Sequence, residues 1–536
     1  MTKPPKTPSP GPPPVLAIVP PDDRLVVHLP GLRVGIVDQL IRRMADLEAF
    51  QRGGCFVDIV RAPAMGVGGV TLPTGEPKIR VTPQPRIIEL AQTVCKFMAR
   101  KKAELGSLRD FVEVDPPTTI VQTMTARGQW AHIRSLEALV HWPVLRPDGT
   151  IFDGLGYDIR TRCYATSNVE MDLPAKVTWA DVQKSIAVFD DVLCDFPFER
   201  PEHKSAWIAA LLTVIARPAI DGPVPMLVVD ANERGAGKTF LCDTIGTILS
   251  GKRLPRADVP ANEAEFGKVM LSIGIAGLPI VLLDNITGTL RSPTLARVLT
   301  GDIYSGRVLG ENLLMTVQIR TQFLVSSNNA TVDSDLVRRS LHCRLLVEEH
   351  PEWRENFRYM LPDDAGAPGM RRELLTAAVT ILLGYQHAGR PRVQARAMGS
   401  YGAWCNQVQH PIVWAGLADP AKTQDAFGEH ADPEREQLET LLDAWYEFFA
   451  EETVTISNAM TRVRTGVSAD PPSEKALNLL AALETLSEIP GHPVTTARVG
   501  TRIRMWREKW VNGKSFYAGT HEGGARKWGV RKKPAR

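Results

Sequence analysis

Residues 226 to 249 read MLVVDANERGAGKTFLCDTIGTIL: an apolar run, a loop closing on Gly235-Ala236-Gly237-Lys238-Thr239, and the opening of an amphipathic helix. A buried strand, a glycine-bracketed turn and a helix N-terminus in that order aim backbone N–H groups and the positive helix end at one point, which suits a phosphate group. The glycines allow the bend. Lys238 follows as a point charge for β and γ phosphates, and Thr239 offers a hydroxyl to Mg²⁺. Asn232 stands where the strict pattern has its first glycine. Asparagine tolerates positive φ, so the same bend is expected there. Nucleotide contacts are accordingly expected along Asn232, Glu233, Arg234, Gly235, Ala236, Gly237, Lys238, Thr239 and Phe240.

A second stretch, Leu278-Pro279-Ile280-Val281-Leu282-Leu283-Asp284-Asn285, is an unbroken apolar run ending in an acid. Parallel strands buried on both faces read this way. Ligands of open α/β sheets lie beyond the strand carboxyl ends, which puts Asp284 beside the phosphate loop as a Mg²⁺ ligand, direct or through water. Taken alone, it reads better as a strand-ending turn cap; together with the loop it reads as a metal ligand. A third strand, Thr321 to Ser327, ends in Asn328-Asn329 and is followed by Asp335-Leu336-Val337-Arg338-Arg339 and a strand from Leu341 to Val347. An amide at that tip, Asn328, suits the orientation of an attacking water, and Arg338 or Arg339, with Arg339 preferred, suits an arginine finger for a neighbouring subunit's nucleotide. The bland alternative is a turn asparagine with two solvated arginines.

The order ANERGAGKT, LPIVLLDN, TGDIYSGRVLGENLLMTVQIR, FLVSSNN and DLVRRSLHCRL resembles the AAA+ core of superfamily III helicases in the form carried by phage and prophage replication proteins. PVLRPDGTIFDGLGYD before it and HPIVWAGLADP behind it are similar to weaker flanking phrases of those proteins. The resemblance covers most of the chain from about residue 120 onward, and more loosely the segment before it. It implies ATP and Mg²⁺ as cofactors, a homo-hexamer with nucleotide between subunits, and a β-hairpin that touches single-stranded DNA. Arg307 and Arg320 are then the candidate contacts, with Asn312 at the hairpin tip. One departure bears on catalysis: the family carries two adjacent acids at the Asp284 strand end, and here the second is Asn285. An amide accepts no proton from water, so turnover is left to positioning and electrostatics, with Asp302 a remote substitute. Slow to moderate hydrolysis is expected. Two other readings stay open: an origin-binding protein in which nucleotide only cements a ring, and a nucleotide-gated regulatory switch.

At 536 residues the chain is too long for one core, and its 44% hydrophobic and 23% charged composition is ordinary for a globular protein. No apolar run approaches the roughly 20 residues of a membrane span, and the N-terminus lacks a signal-peptide core, so no membrane partner is expected and the location reads as cytoplasmic. The seven cysteines have no paired spacing, which points to reduced thiols and no zinc site. The net charge of +3 is uninformative, but its distribution is not: from Arg498 to Arg536 there are twelve Lys and Arg against two acids. Here Val494 to Val511 reads as a helix with Val499, Ile503, Trp506 and Trp510 inward. Asn512-Gly513 and Gly523-Gly524 bound two short strands, Lys514 to Ala518 and Lys527 to Val530. With a helix from Ser473 to Leu486 the segment resembles a winged helix that binds origin duplex DNA, through Arg498, Arg502, Lys509, Arg526 and Lys527; a solvated basic tail is the alternative.

Residues 1 to 14, MTKPPKTPSPGPPP, read as a disordered proline-rich tail. Residues 15–115 read as a small α+β accessory domain, with strands Leu25 to Leu29 and Cys55 to Arg61, helices Ile36 to Phe50 and Arg86 to Leu105, and no visible chemistry. In 116–200, the turn Arg146-Pro147-Asp148-Gly149 places Val144 and Ile151 on flanking strands, packed by Trp142, Tyr157 and Tyr164 or, alternatively, offering them to bases. The expected fold class is therefore α/β: an AAA+ (P-loop NTPase) core with a parallel sheet over 201–350, a helical lid and connector over 351–432, and a C-terminal winged helix over 433–536.

Overall fold

The computed structural model describes residues 24–29, 31–61, 66–67, 69–71, 75–100, 111–286, 289–301, 303–307, 314–327, 332–347, 356–425, 433–487 and 494–533. Seven strands form the principal sheet in the order Ser340–Leu345, Met226–Ala231, Gln322–Ser327, Ile280–Ile286, Arg256–Ala257, Val70–Thr71 and Gly66–Val67. Gln322–Ser327 pairs in parallel with both Met226–Ala231 and Ile280–Ile286, and Arg256–Ala257 in parallel with the latter. The pairing of Val70–Thr71 with Arg256–Ala257 is antiparallel. Every residue of Met226–Ala231 and of Gln322–Ser327 is buried, which is why these strands read as unbroken apolar runs rather than alternating ones. The chain is thus a mixed α/β protein with a P-loop-like strand, loop and helix one strand in from an edge of this sheet.

Helices Pro201–Ala216 and Lys238–Ser250 pack on the sheet, joined by a bond from Trp207 Nε1 to the Leu241 carbonyl at 2.8 Å. Helix Glu263–Ala276 starts where Asn262 caps the Ala264 N–H, with Glu263 and Glu265 favourably placed at its positive end. Its far end lies against the hairpin Ile303–Arg307/Leu314–Gln318: a Cβ on Gly274 would sit 2.6 Å from Val317 Cγ2. Arg52 closes this corner, donating to the carbonyls of Gly274, Leu136, Glu137 and Gln318 at 2.6 to 3.0 Å. Burial lowers its pKa. Four carbonyl partners keep the charge tolerable there.

The N-terminal elements differ from expectation in two respects. The helix read from Arg86 to Leu105 is Gln84–Val94, and Cys95–Arg100 continues as a strand paired in parallel with Leu25–Leu29. A long-range partner, absent from any local pattern, overrides the helical spacing there. The first helix also ends sooner, at Met44, because Phe50–Arg52 joins Cys55–Arg61. The turn at Arg146-Gly149 does join paired strands, Leu145 facing Ile151, and Tyr157 and Tyr164 pack on Phe50 at 5.6 and 5.9 Å. The tail 1–14 lies outside the described residues. Among the described residues no helix is long and apolar enough to cross a membrane, and all seven cysteines are free thiols.

By its contacts the chain divides into two units, Met1–Ile286 with Ser292–Asn328 and Cys343–Ala421, and Thr287–Arg291 with Asn329–His342 and Lys422–Arg536. In the second, helices Pro433–Phe449, Ile456–Val467, Glu474–Glu484 and Thr496–Met505 accompany a three-stranded sheet of Val454–Thr455, Ala525–Lys532 and Lys514–Glu522. Trp445, Trp506 and Phe516 are its fully buried aromatic centre. Both expected turns are two-residue hairpin connections with positive φ throughout, at Asn512-Gly513 and Gly523-Gly524. The helix read over Val494 to Val511 stops at Met505, and Trp510 lies 44% exposed beyond it instead of on the inner face. The helix Ile456–Val467 had not been anticipated.

Candidate nucleotide-binding site

The loop after Met226–Ala231 has the backbone its glycines suggested: Gly235 and Gly237 have φ of 78° and 87°, and Gly237 caps helix Lys238–Ser250. Lys238, only 6% exposed, donates from Nζ to the Glu233 carbonyl at 3.1 Å, across the loop it follows. Burial lowers its pKa, against the raising effect of Asp230. A mostly buried ammonium at a helix N-terminus, beside two glycines with positive φ, is an arrangement suited to an anion. Thr239 is half-buried and Phe240 is 52% exposed in the same first turn.

Asn232 departs from its expected conformation. It is not among the described residues with positive φ. Its amide instead pairs with the backbone of Val347 in both directions, Nδ2 donating to the carbonyl and Oδ1 accepting from the N–H, each at 2.9 Å. Glycine offers no such tether between the loop and the end of the neighbouring strand. Replacing Asn232 with glycine is expected to lower the unfolding free energy of this unit by about 1–3 kcal/mol, the sum of two ordinary hydrogen bonds. Urea unfolding followed by tryptophan fluorescence measures it.

Asp284 lies two strands from the loop, roughly 10 Å by strand spacing. The pairing of Ile280–Ile286 with Gln322–Ser327 shifts between Leu283 and Ile286, so Asp284 occupies an irregularity of the kind that re-aims side chains near active sites. Arg256 Nε stands 3.2 Å from Asp284 Oδ2, and Arg256 Nη2 2.8 Å from Asp243 Oδ2. Asp243 is fully buried on the helix that Lys238 begins, and burial pushes its carboxyl up while Arg256 pulls it down. An ionic link thus joins the phosphate-loop helix to the acid at the strand tip. Sequence reading missed it, although an acid between Cys242 and Thr244 on an apolar helix face was a signal of a buried cationic partner.

The Asp284 carboxylate and the Thr239 hydroxyl fit a magnesium ion that takes most of its ligands from water and phosphate oxygens, with the Lys238 ammonium left to the phosphates themselves. Among the described residues no group of three or more His, Cys, Asp or Glu gathers into a metal cluster. Asn328 and Asp302 lie outside the described residues. Arg338 and Arg339 follow the short helix Ser334–Val337: Arg339 is tied to the carboxylate and carbonyl of Asp335, whereas Arg338 is 77% exposed and 3.3 Å from Asp335 Oδ1.

Of the residues read as contacts for DNA, Arg307 ends an exposed hairpin edge and Asn312 lies outside the described residues. Arg320 lies two residues past the hairpin and turns inward, donating to the carbonyls of Arg217 and Ile220 at 3.0 and 2.6 Å. In the second unit Arg498 Nε donates to the Leu486 carbonyl at 2.5 Å, and Arg502 lies over Trp506 at 5.8 Å. Lys527 pairs with Glu522 at 3.0 Å, while Lys509 and Arg526 are exposed. The exposed face of helix Thr496–Met505 instead presents Thr501 and Arg504, which sequence reading passed over.

No family model matches the chain, and no curated protein does. Among solved structures it is similar to the apo A form of the NrS-1 C-terminal region, at 11% identity and a TM-score of 0.35 over 88% of this chain and 96% of that one. It is also similar to SCCmec type IV Cch, described as an active helicase, at 11% identity and a TM-score of 0.29 over 84% and 96%.

Proposed function

We propose that the chain is a ring-forming AAA+ ATPase of the superfamily III type, encoded by a phage or mobile element, that hydrolyses ATP to move along single-stranded DNA. The observation that carries this reading is the cradle of Gly235, Gly237 and buried Lys238 at a helix N-terminus, with Asp284 two parallel strands away. Loop N–H groups and Lys238 grip the β and γ phosphates, and Thr239 and Asp284 hold Mg²⁺, which supplies charge neutralisation at the leaving phosphate oxygen. Arg338, more exposed than Arg339, is the better finger toward the next subunit of a homo-hexamer. Arg307 on the hairpin is the better contact for single-stranded DNA, since the guanidinium of Arg320 is engaged by carbonyls. The C-terminal helices and hairpin act as a winged helix on origin duplex, with Lys509, Arg526 and Arg504 outermost.

The test is phosphate release and strand separation on a forked duplex. ATP-dependent unwinding that single-stranded DNA stimulates is the expected result. Asn285 favours a second reading, an origin-binding protein that uses nucleotide only for assembly. Nucleotide-dependent ring formation without phosphate release, at saturating DNA, would establish that reading instead.

A further inference from the structure

The phosphate loop has an aromatic neighbour that the mechanism above leaves unused. A Cβ built on Gly237 would lie 3.3 Å from Phe196 Cε1, so this half-buried ring rests against the main chain immediately before Lys238. Its position is fixed by backbone pairing with the strand beside the loop strand. Leu346 N–H donates to the Pro197 carbonyl at 2.8 Å, Glu199 N–H donates to the Arg344 carbonyl at 3.0 Å, and Phe198 faces Leu345 in antiparallel register. On the other side, the Asp195 carboxylate accepts from the Arg358 N–H at 2.7 Å. Phe198 stands 6.2 Å behind the ring at an interplanar angle of 50°. Phe196 is thus only half-buried while its Cε1 lies against a glycine backbone.

We propose that Phe196 is the platform on which the nucleobase of the bound triphosphate stacks. The inference rests on the nucleotide reading and adds its base subsite. Asn232, the amide of the loop, has both its functions committed to Val347, so it is not a reader of the base edge. Stacking tolerates any base because every base has a π face. The platform therefore takes nucleoside triphosphates as a class, adenine and guanine alike, without selecting the base.

Calorimetry on the full chain with Mg²⁺ tests this, using ATP, GTP and inorganic tripolyphosphate, which has the phosphates and no base. Phe196→Leu preserves apolar volume, and Phe196→Trp preserves the aromatic face. Phe196→Leu is expected to weaken ATP and GTP by about five-fold to one-hundred-fold, the range for one base–aromatic stack, with tripolyphosphate unchanged. Phe196→Trp is expected to keep nucleotide affinity near that of the native chain. ATP affinity unaltered in Phe196→Leu, or tripolyphosphate weakening in step with ATP, overturns the proposal. Should the native chain bind tripolyphosphate while Phe196→Leu still binds ATP normally, the loop stands and only the base subsite falls. Should the native chain bind neither, both fall together.

Discussion

Lys238→Ala is expected to lower ATP turnover by at least about one hundred-fold, the scale of removing one preorganised charge from a transition state, while leaving the fold intact. The two halves of that expectation have separate causes. For turnover, Lys238 is the cation that the loop directs at the phosphates, and no other lysine lies between Asn232 and Ser250. For the fold, Lys238 Nζ donates to the Glu233 carbonyl within the same loop, at 3.1 Å. Burial lowers the Lys238 pKa, so at neutral pH the folded protein holds that charge less favourably than the unfolded chain does. The sign follows: a base whose folded pKa is depressed detracts from stability below that pKa, and the penalty fades as pH rises toward the unfolded value. Alanine removes the penalty with the charge. Thermal unfolding should therefore be unchanged or slightly later, and phosphate release should vanish. Turnover at the native rate would remove Lys238, and the cradle with it, from the chemistry.

How much of this was legible in the sequence depended on how far each signal had to travel. The loop glycines, the apolar parallel strands and the two-residue turns at Asn512-Gly513 and Gly523-Gly524 are local signals, and the structure holds them where the residues suggested. The helix expected to run on to Leu105 did not, because pairing between Leu25–Leu29 and Cys95–Arg100 is decided about 70 residues away in sequence. The basic residues show the same limit. Charge count located a basic segment, but it could not tell that Arg498 and Arg320 spend donors on carbonyls while Arg504 faces outward. Phe196 was invisible for a related reason: 41 residues separate it from Gly237, and only the sheet edge brings them together. Asn232 was seen, for the wrong physical reason. Its value lies in its side-chain amide rather than in tolerance of positive φ.

Asp284→Asn is expected to reduce Mg²⁺-dependent phosphate release by about one hundred-fold to one thousand-fold, with metal-free nucleotide binding preserved. Asn285 makes this the sharper of the two acid positions, since with an amide next door Asp284 is the carboxylate left at the strand tip. The ionic link explains why the fold should survive. Arg256 keeps its 2.8 Å contact with buried Asp243 when the 3.2 Å contact with Asp284 is lost, and its side chain is 39% exposed, so water screens the remaining charge. Removing Asp243 would instead leave the Arg256 guanidinium without its buried partner and the helix with a gap in its core, which confounds stability with catalysis. Asp284 is thus the residue at which metal binding is separable from architecture. Phosphate release titrated with Mg²⁺ decides the matter: a rate close to native, with the same metal midpoint, would return Asp284 to the role of a strand-ending cap and leave the metal to Thr239, water and the phosphates.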